Sequence, residues 1–189
     1  MKSHPQSDRY SDVLKVALQR RVAGIDVKII DAGISAAESA RGAVERLKVT
    51  VDLDGPDLAL WHVGLGDVFA RSPVDTFLAA TMEAIGWLKK RDLDILVIDL
   101  PYVRGLHSNA PYQTIRAAAA NIARAEGLAW ISSYDITEGI EQSTSTISRR
   151  SANPFVLLPK ACLCTAELVA QAIASTVASI TPSSHAWRN

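Results

Sequence analysis

Four short apolar runs, Val27–Ile30, Leu58–Val63, Ile95–Leu100 and Leu128–Ser133, alternate along this chain with stretches whose apolar residues repeat at helical spacing. That alternation constrains the fold more than any other feature. Strands separated by whole helices cannot pair as tight hairpins; each connection is a crossover, and crossovers give parallel strands with helices packed against the sheet. The expected architecture is therefore an α/β fold with the four runs side by side in chain order.

The helical stretches carry their own punctuation. Tyr10 to Arg21 places apolar residues at 10, 13, 14, 17 and 18 and ends before Gly24. Ser35 to Leu47 reads as a helix with Ser35 as N-cap and Glu38 as its capping-box partner. Pro73 to Lys90 is a longer amphipathic helix, with Ser72 as cap and Pro73 at its first position. Tyr112 to Glu126 stops at Gly127, and Thr165 to Ile180 forms the last helix. Residues 137–152, rich in Ser, Thr and Arg, read as a long surface loop. No repeat or linker divides the chain, so a single domain over residues 1–189 is expected, with an ordered core from about 10 to 180 and a tail over 181–189.

Composition narrows the function classes. The 189 residues are 48% hydrophobic and 21% charged, enough for one substantial core. Twenty basic residues balance twenty acidic ones with no basic stripe, which argues against a nucleic-acid partner. The apolar runs are short of the ~20 residues of a membrane span, and the N-terminus lacks the apolar core of a signal peptide, so a cytoplasmic location without membrane association is expected. Cys162 and Cys164 are too close for an ordinary disulfide and have no further thiols for a metal site; two reduced, partly buried cysteines are expected. No metal or cofactor is implied.

Chemistry is best placed after the strand Leu58–Val63, where Gly64, Gly66 and Asp67 stand in the loop at its carboxyl end. In an open α/β sheet, ligands bind outside the carboxyl ends of the strands, and glycines let backbone N–H donors approach a substrate oxygen. The competing reading of the same residues is a tight turn in which Asp67 bonds nearby backbone amides. His107, in the loop after Pro101, is the best candidate base. His62 at the strand end, Asp135 in Ser-Ser-Tyr-Asp and Lys160 are weaker candidates, read first as a satisfied histidine, a cap and a solvated lysine.

The succession Val27-Lys-Ile-Ile-Asp-Ala-Gly-Ile-Ser35 followed by Gly55-Pro-Asp-Leu-Ala-Leu-Trp-His-Val-Gly-Leu-Gly-Asp67 resembles the SGNH/GDSL hydrolases. The resemblance continues through Ile95-Leu-Val-Ile-Asp-Leu-Pro101, Asn121–Trp130 and Ala166–Ala174, covering roughly Tyr10 to Ile180. It implies a three-layer α/β/α, flavodoxin-like fold, here without the family's first strand, and an ancestral hydrolysis of carboxylic esters of acyl or carbohydrate type. The catalytic motifs depart from the family. Its Gly-Asp-Ser nucleophile has no counterpart, the serine near that point being Ser3 in Lys-Ser-His. Its oxyanion glycine falls on Ala36. Its Gly-x-Asn-Asp block survives as Gly64-Leu-Gly66-Asp67 with glycine for asparagine, and Leu157-Leu-Pro-Lys160 stands where Asp-x-x-His is expected.

Two readings follow. One is an ester hydrolase in which Ser3 and His107 act beside an oxyanion cleft of Ala36, Gly64, Gly66 and Asp67. The other is a non-catalytic binding or interaction domain that keeps the cleft. A small ester or sugar-like ligand is the expected partner in either, and an exposed sheet edge offers a route to homo-oligomers. A flavodoxin-like nucleotide or flavin site is a third reading, which lacks a Gly-rich phosphate loop.

Overall fold

The computed structural model describes residues 9–22, 24–33, 38–148 and 159–180. They group into two compact units, one formed by the residues up to 29 together with those from 158 onward, the other by residues 30–157.

The second unit carries the sheet. Its elements run α2 (Ala40–Asp54), β1 (Leu58–His62), α3 (Leu65–Ala70), α4 (Val74–Lys89), β2 (Asp94–Ile98), α5 (Ala110–Ala125), β3 (Ala129–Ile131) and α6 (Ser133–Ser148), with α1 (Tyr10–Arg21) and α7 (Pro159–Ile180) belonging to the first unit. The strands lie in the order β1-β2-β3 and all pairings are parallel, with Leu60 opposite Leu96, His62 opposite Ile98, and Val97 opposite Trp130. Each crossover steps one strand in the same direction, which brings α4 and α5 side by side. Between them and the sheet lies the core of Val63, Phe77, Ala80, Ala84, Leu88, Ile95, Val97, Leu100, Ile115 and Ala119. Ile95, Leu96, Val97 and Ile98 are all buried. A strand covered on both faces reads as a continuous apolar run, which is why β2 was evident from the sequence.

Several expectations are corrected. Val27–Ile30 forms no strand; Lys28 is exposed and none of the four residues is fully buried, so β propensity found no ladder partner among the described residues. The sheet consequently has three described strands, and the third is shorter than Leu128–Ser133. The second helix begins at Ala40, with Ser39 as N-cap accepting from the Gly42 N–H, not at Ser35, which lies outside the described residues. Pro73 precedes α4 as its N-cap, with no side-chain cap from Ser72. Residues 137–148, expected as loop, continue α6, because Ser133, Tyr134, Thr137 and Ile140 give a buried stripe at helical spacing despite the polar composition. A short helix, α3, follows Gly64 directly.

In the first unit, α1 packs on α7 and Arg21 pairs with Glu167 at 2.5 Å. Cys162 and Cys164 are half-buried thiols on α7. Lys160–Ala178 is long and apolar enough, by length and composition, to cross a membrane, a property the short apolar runs had not suggested.

Candidate functional site

The loop at the carboxyl end of β1 is closed by packing. Gly64 adopts φ +86°, and a Cβ there would lie 2.7 Å from Ile115 and 2.8 Å from Leu100. Only glycine satisfies both the left-handed backbone and the space. It serves as N-cap of α3, its carbonyl accepting from the Val68 N–H at 3.0 Å. Gly66 is more restricted still. A Cβ would stand 1.8 Å from the carbonyl oxygen of Glu38 and 2.3 Å from its carbonyl carbon, so the backbone of residue 38 fills the place a side chain would take.

Asp67 is 1% exposed, and its Oδ2 accepts from the Ala40 N–H at 2.9 Å. Ala40 is the first residue of α2, so a carboxylate 27 positions away satisfies one of the unpaired amides at that helix start and faces the positive end of its dipole. Burial pushes the Asp67 carboxyl above its ordinary range, opposed by hydrogen bonds from the Ala40 amide and the Ser72 hydroxyl. The segment that covers Gly66 is itself fastened. Both Glu38 carboxylate oxygens accept from the Arg46 guanidinium, whose Nε donates to the Ala32 carbonyl at 2.5 Å. The arginine holds the Glu38 carboxyl below its usual range. Glu38 thus latches onto Arg46 of α2 in place of the capping box read from the sequence.

His107 lies beyond β2. Its amide donates to the Val103 carbonyl at 2.8 Å and its ring stacks on Tyr102 with centroids 4.9 Å apart. Gly64, Gly66 and Asp67 are therefore brought together, while the contact seen at the His107 ring is aromatic. Ser3, Ala36 and residues 152–158 lie outside the described residues, and Lys160 is an exposed residue of α7. His62 ends β1 exposed.

The sequence reading named Asp135 but missed Asp99 and Arg116, with which it forms a polar group at the carboxyl ends of β2 and β3. Asp99, with a side chain 0% exposed, accepts from Arg116 Nε at 2.9 Å. Arg116 reaches from α5, lies 3.9 Å over the Tyr134 ring, and stands 3.6 Å from Asp135, whose side chain is 71% exposed. Ser132 donates to Asp135 at 2.6 Å. Tyr134 meets Tyr102 edge-on at 5.5 Å, so a strip runs continuously from Arg116 through Tyr134 and Tyr102 to His107. Tyr102 is held by its amide, which donates to Thr137 Oγ1 at 2.5 Å. Burial raises the Asp99 carboxyl above its ordinary range, against the pull of Arg116. The available signal was Asp99 itself, a carboxylate closing the otherwise apolar run Ile95–Pro101.

No protein-family model matches the sequence, and no curated protein matches it. Solved structures do. A protein described as lipolytic and of the G-D-S-L family from Desulfitobacterium hafniense superposes with a TM-score of 0.67 at 14% identity, over 87% of this chain and 87% of its own. The psychrotrophic esterase EstA from Pseudoalteromonas gives 0.68 at 14% identity, over 90% of this chain and 88% of its own. Axe2, an acetylxylan esterase from Geobacillus stearothermophilus, gives 0.70 at 14% identity, over 89% of this chain and 80% of its own. In Axe2, replacing a serine, an aspartate or a histidine gives a catalytic mutant. The chain therefore has the α/β fold of the SGNH/GDSL hydrolases, as its sequence blocks implied. At these identities the likeness speaks for the fold.

Proposed function

We propose that this chain is a non-catalytic SGNH-fold protein that binds a small polar, sugar-like ligand along the strip at the carboxyl ends of β2 and β3. The observation that carries the reading is the closure of Gly66 by the Glu38 backbone. Acyl transfer by a serine needs the nucleophile, a base and oxyanion donors converging on one point. Glycine at 66 removes a side-chain donor, a loss of about 10²- to 10³-fold in comparable oxyanion holes. The group occupying that place is a carbonyl oxygen, an acceptor that repels a developing oxyanion. Gly64 and Asp67 are likewise committed to packing and to the start of α2.

The strip has the chemistry a sugar requires. Tyr102 and His107 offer aromatic surface, while Arg116 and Asp135 offer hydrogen-bond donors and acceptors at its other end. Asp99 fixes the guanidinium from beneath.

The second reading, hydrolysis of acyl or carbohydrate esters, is favoured by the likeness to EstA and Axe2. It requires a serine to reach His107 and the Glu38 segment to leave Gly66. Turnover of p-nitrophenyl acetate separates the two. The wild-type rate should equal that of a Ser3→Ala, His107→Ala variant, and a rate lost in the variant would establish the hydrolase. Titration with acetylated xylo-oligosaccharides, followed by amide NMR, should shift resonances at Tyr102, His107 and Asp135, with Tyr102→Ala abolishing the response. Unchanged spectra at millimolar sugar would remove the binding proposal.

A further inference from the structure

We infer that the ligand of the aromatic strip is an amino sugar, its protonated amine held between Asp135 and Glu138 while its ring lies along Tyr102 and His107. The inference rests on the sugar-binding reading of the strip and adds the charge its ligand carries. That charge is set by one face of α6. Asp135, Glu138 and Glu141 follow one another at three-residue steps, and Tyr134 precedes Glu138 by four. Side chains three and four positions apart are neighbours on a helix, so Tyr134, Glu138 and Glu141 share a face and Asp135 borders it. The three carboxylates are compensated unequally. Glu141 pairs with Arg104 from the loop after β2. Asp135 stands 3.6 Å from Arg116, beyond a good hydrogen bond, while Ser132 fixes its other oxygen at 2.6 Å. Glu138 is half-buried and has no cationic partner among the described residues.

Arg116 does not make up the difference. Its Nε serves Asp99, whose side chain is 0% exposed and whose Oδ1 is buried with no hydrogen-bond partner among the described residues. A carboxylate so enclosed depends on the guanidinium beside it, and the positive charge is drawn inward. Along the strip the carboxylates of Asp99, Asp135, Glu138 and Glu141 face only the guanidiniums of Arg104 and Arg116, an excess of negative charge among the described residues.

The excess converges on Tyr102. Its hydroxyl is pushed above the ordinary phenol range by burial and then by its neighbours Tyr134, Glu138 and Glu141, with Arg104 opposing. The Tyr102 amide is bonded to Thr137, yet the hydroxyl bonds no described residue and is left for a ligand. Rings of the strip already accept a cation, since Arg116 lies 3.9 Å over Tyr134. A neutral sugar offers Asp135 and Glu138 only hydroxyl donors. An ammonium offers charge-assisted hydrogen bonds of roughly twice that strength, and an acidic sugar is repelled.

Trimers of glucosamine and of N-acetylglucosamine share a sugar skeleton and differ in the charge on nitrogen. Titration calorimetry of each into the full chain at about pH 6.5, where amines are protonated, measures that charge directly, and amide NMR locates the binding. The glucosamine trimer is expected to bind about tenfold tighter or more, with shifts at Tyr102 and His107. Its advantage should shrink between about 20 and about 300 mM salt. Glu138→Gln should remove most of the advantage and leave the affinity for the N-acetylated trimer unchanged, with circular dichroism verifying the fold. Equal affinities would overturn the inference while leaving a sugar site in place. So would an amine preference indifferent to Glu138→Gln, or binding of acetylated xylo-oligosaccharides with neither trimer bound. If no sugar of the three binds, the sugar-binding reading falls and this inference with it.

Discussion

The carboxyl end of β1 and the carboxyl ends of β2 and β3 belong to one sheet, yet they use their polar residues in opposite ways. At β1 both glycines and one carboxylate oxygen of Asp67 are engaged internally. Gly64 and Gly66 make room for Ile115, Leu100 and the Glu38 backbone, and Asp67 serves the start of α2. At β2 and β3 a buried carboxylate, Asp99, supports a half-exposed guanidinium that leads into a run of aromatic rings. The same kind of residue, a carboxylate after a strand, has a structural partner at the first position and an outward-facing one at the second. A motif's position on a fold therefore does not fix its use; the groups packed against it do.

That contrast can be broken by substitution. The largest effect is expected from Gly66→Asn, which restores the asparagine of the family block but drives a side chain into the Glu38 carbonyl. It should cost about 4 kcal/mol or prevent folding, read by urea denaturation. An asparagine accepted without loss would show that the β1 end is open. Arg116→Met comes next, because it leaves Asp99 buried without its partner. A loss of about 3 kcal/mol at neutral pH is expected, largely recovered when Asp99→Asn is added. If the double variant is no better than the single one, the arginine acts through packing alone.

Smaller changes sharpen the comparison. Arg46→Ala releases the Glu38 carboxylate and the Ala32 carbonyl, half-exposed contacts worth about 1 kcal/mol together. It should also speed hydrogen exchange at the Ala40 amide. The least effect is a pH slope. Asp99 binds its proton more tightly folded than unfolded, so the native state holds more protons as pH rises from about 4, and stability falls until Asp99 ionises in the folded protein as well. Asp99→Asn should remove that portion of the slope, measured as the difference between wild-type and variant denaturation midpoints across acidic pH. Identical profiles would mean that Asp99 titrates alike in both states.

Much of the scaffold was legible because its signals are local. Ile95–Ile98 of β2 is a continuous apolar run, α5 stops before Gly127, and the parallel order follows from the crossovers. The errors arose where local signals compete. Ser35 and Ser39 are both plausible caps within four residues, and only the Asp67 contact to Ala40 marks the second as the helix start. In α6, serines and threonines obscured the stripe formed by Tyr134, Thr137 and Ile140. Val27–Ile30 has strand composition without a described partner strand. The site was the least legible part. The approach of Glu38 to Gly66 spans 28 positions, and Arg116 meets Asp99 from a different element; neither contact leaves a trace in sequence spacing.

The most direct test of the central claim, that the β1 end no longer hosts a nucleophile and its oxyanion site, is covalent labelling with a fluorophosphonate followed by intact-mass measurement. Such reagents phosphonylate a serine only where a base activates it and donors stabilise the charged intermediate. The account predicts no mass increase under conditions that label an active SGNH esterase to completion. A stoichiometric adduct on one serine, lost in His107→Ala, would contradict it.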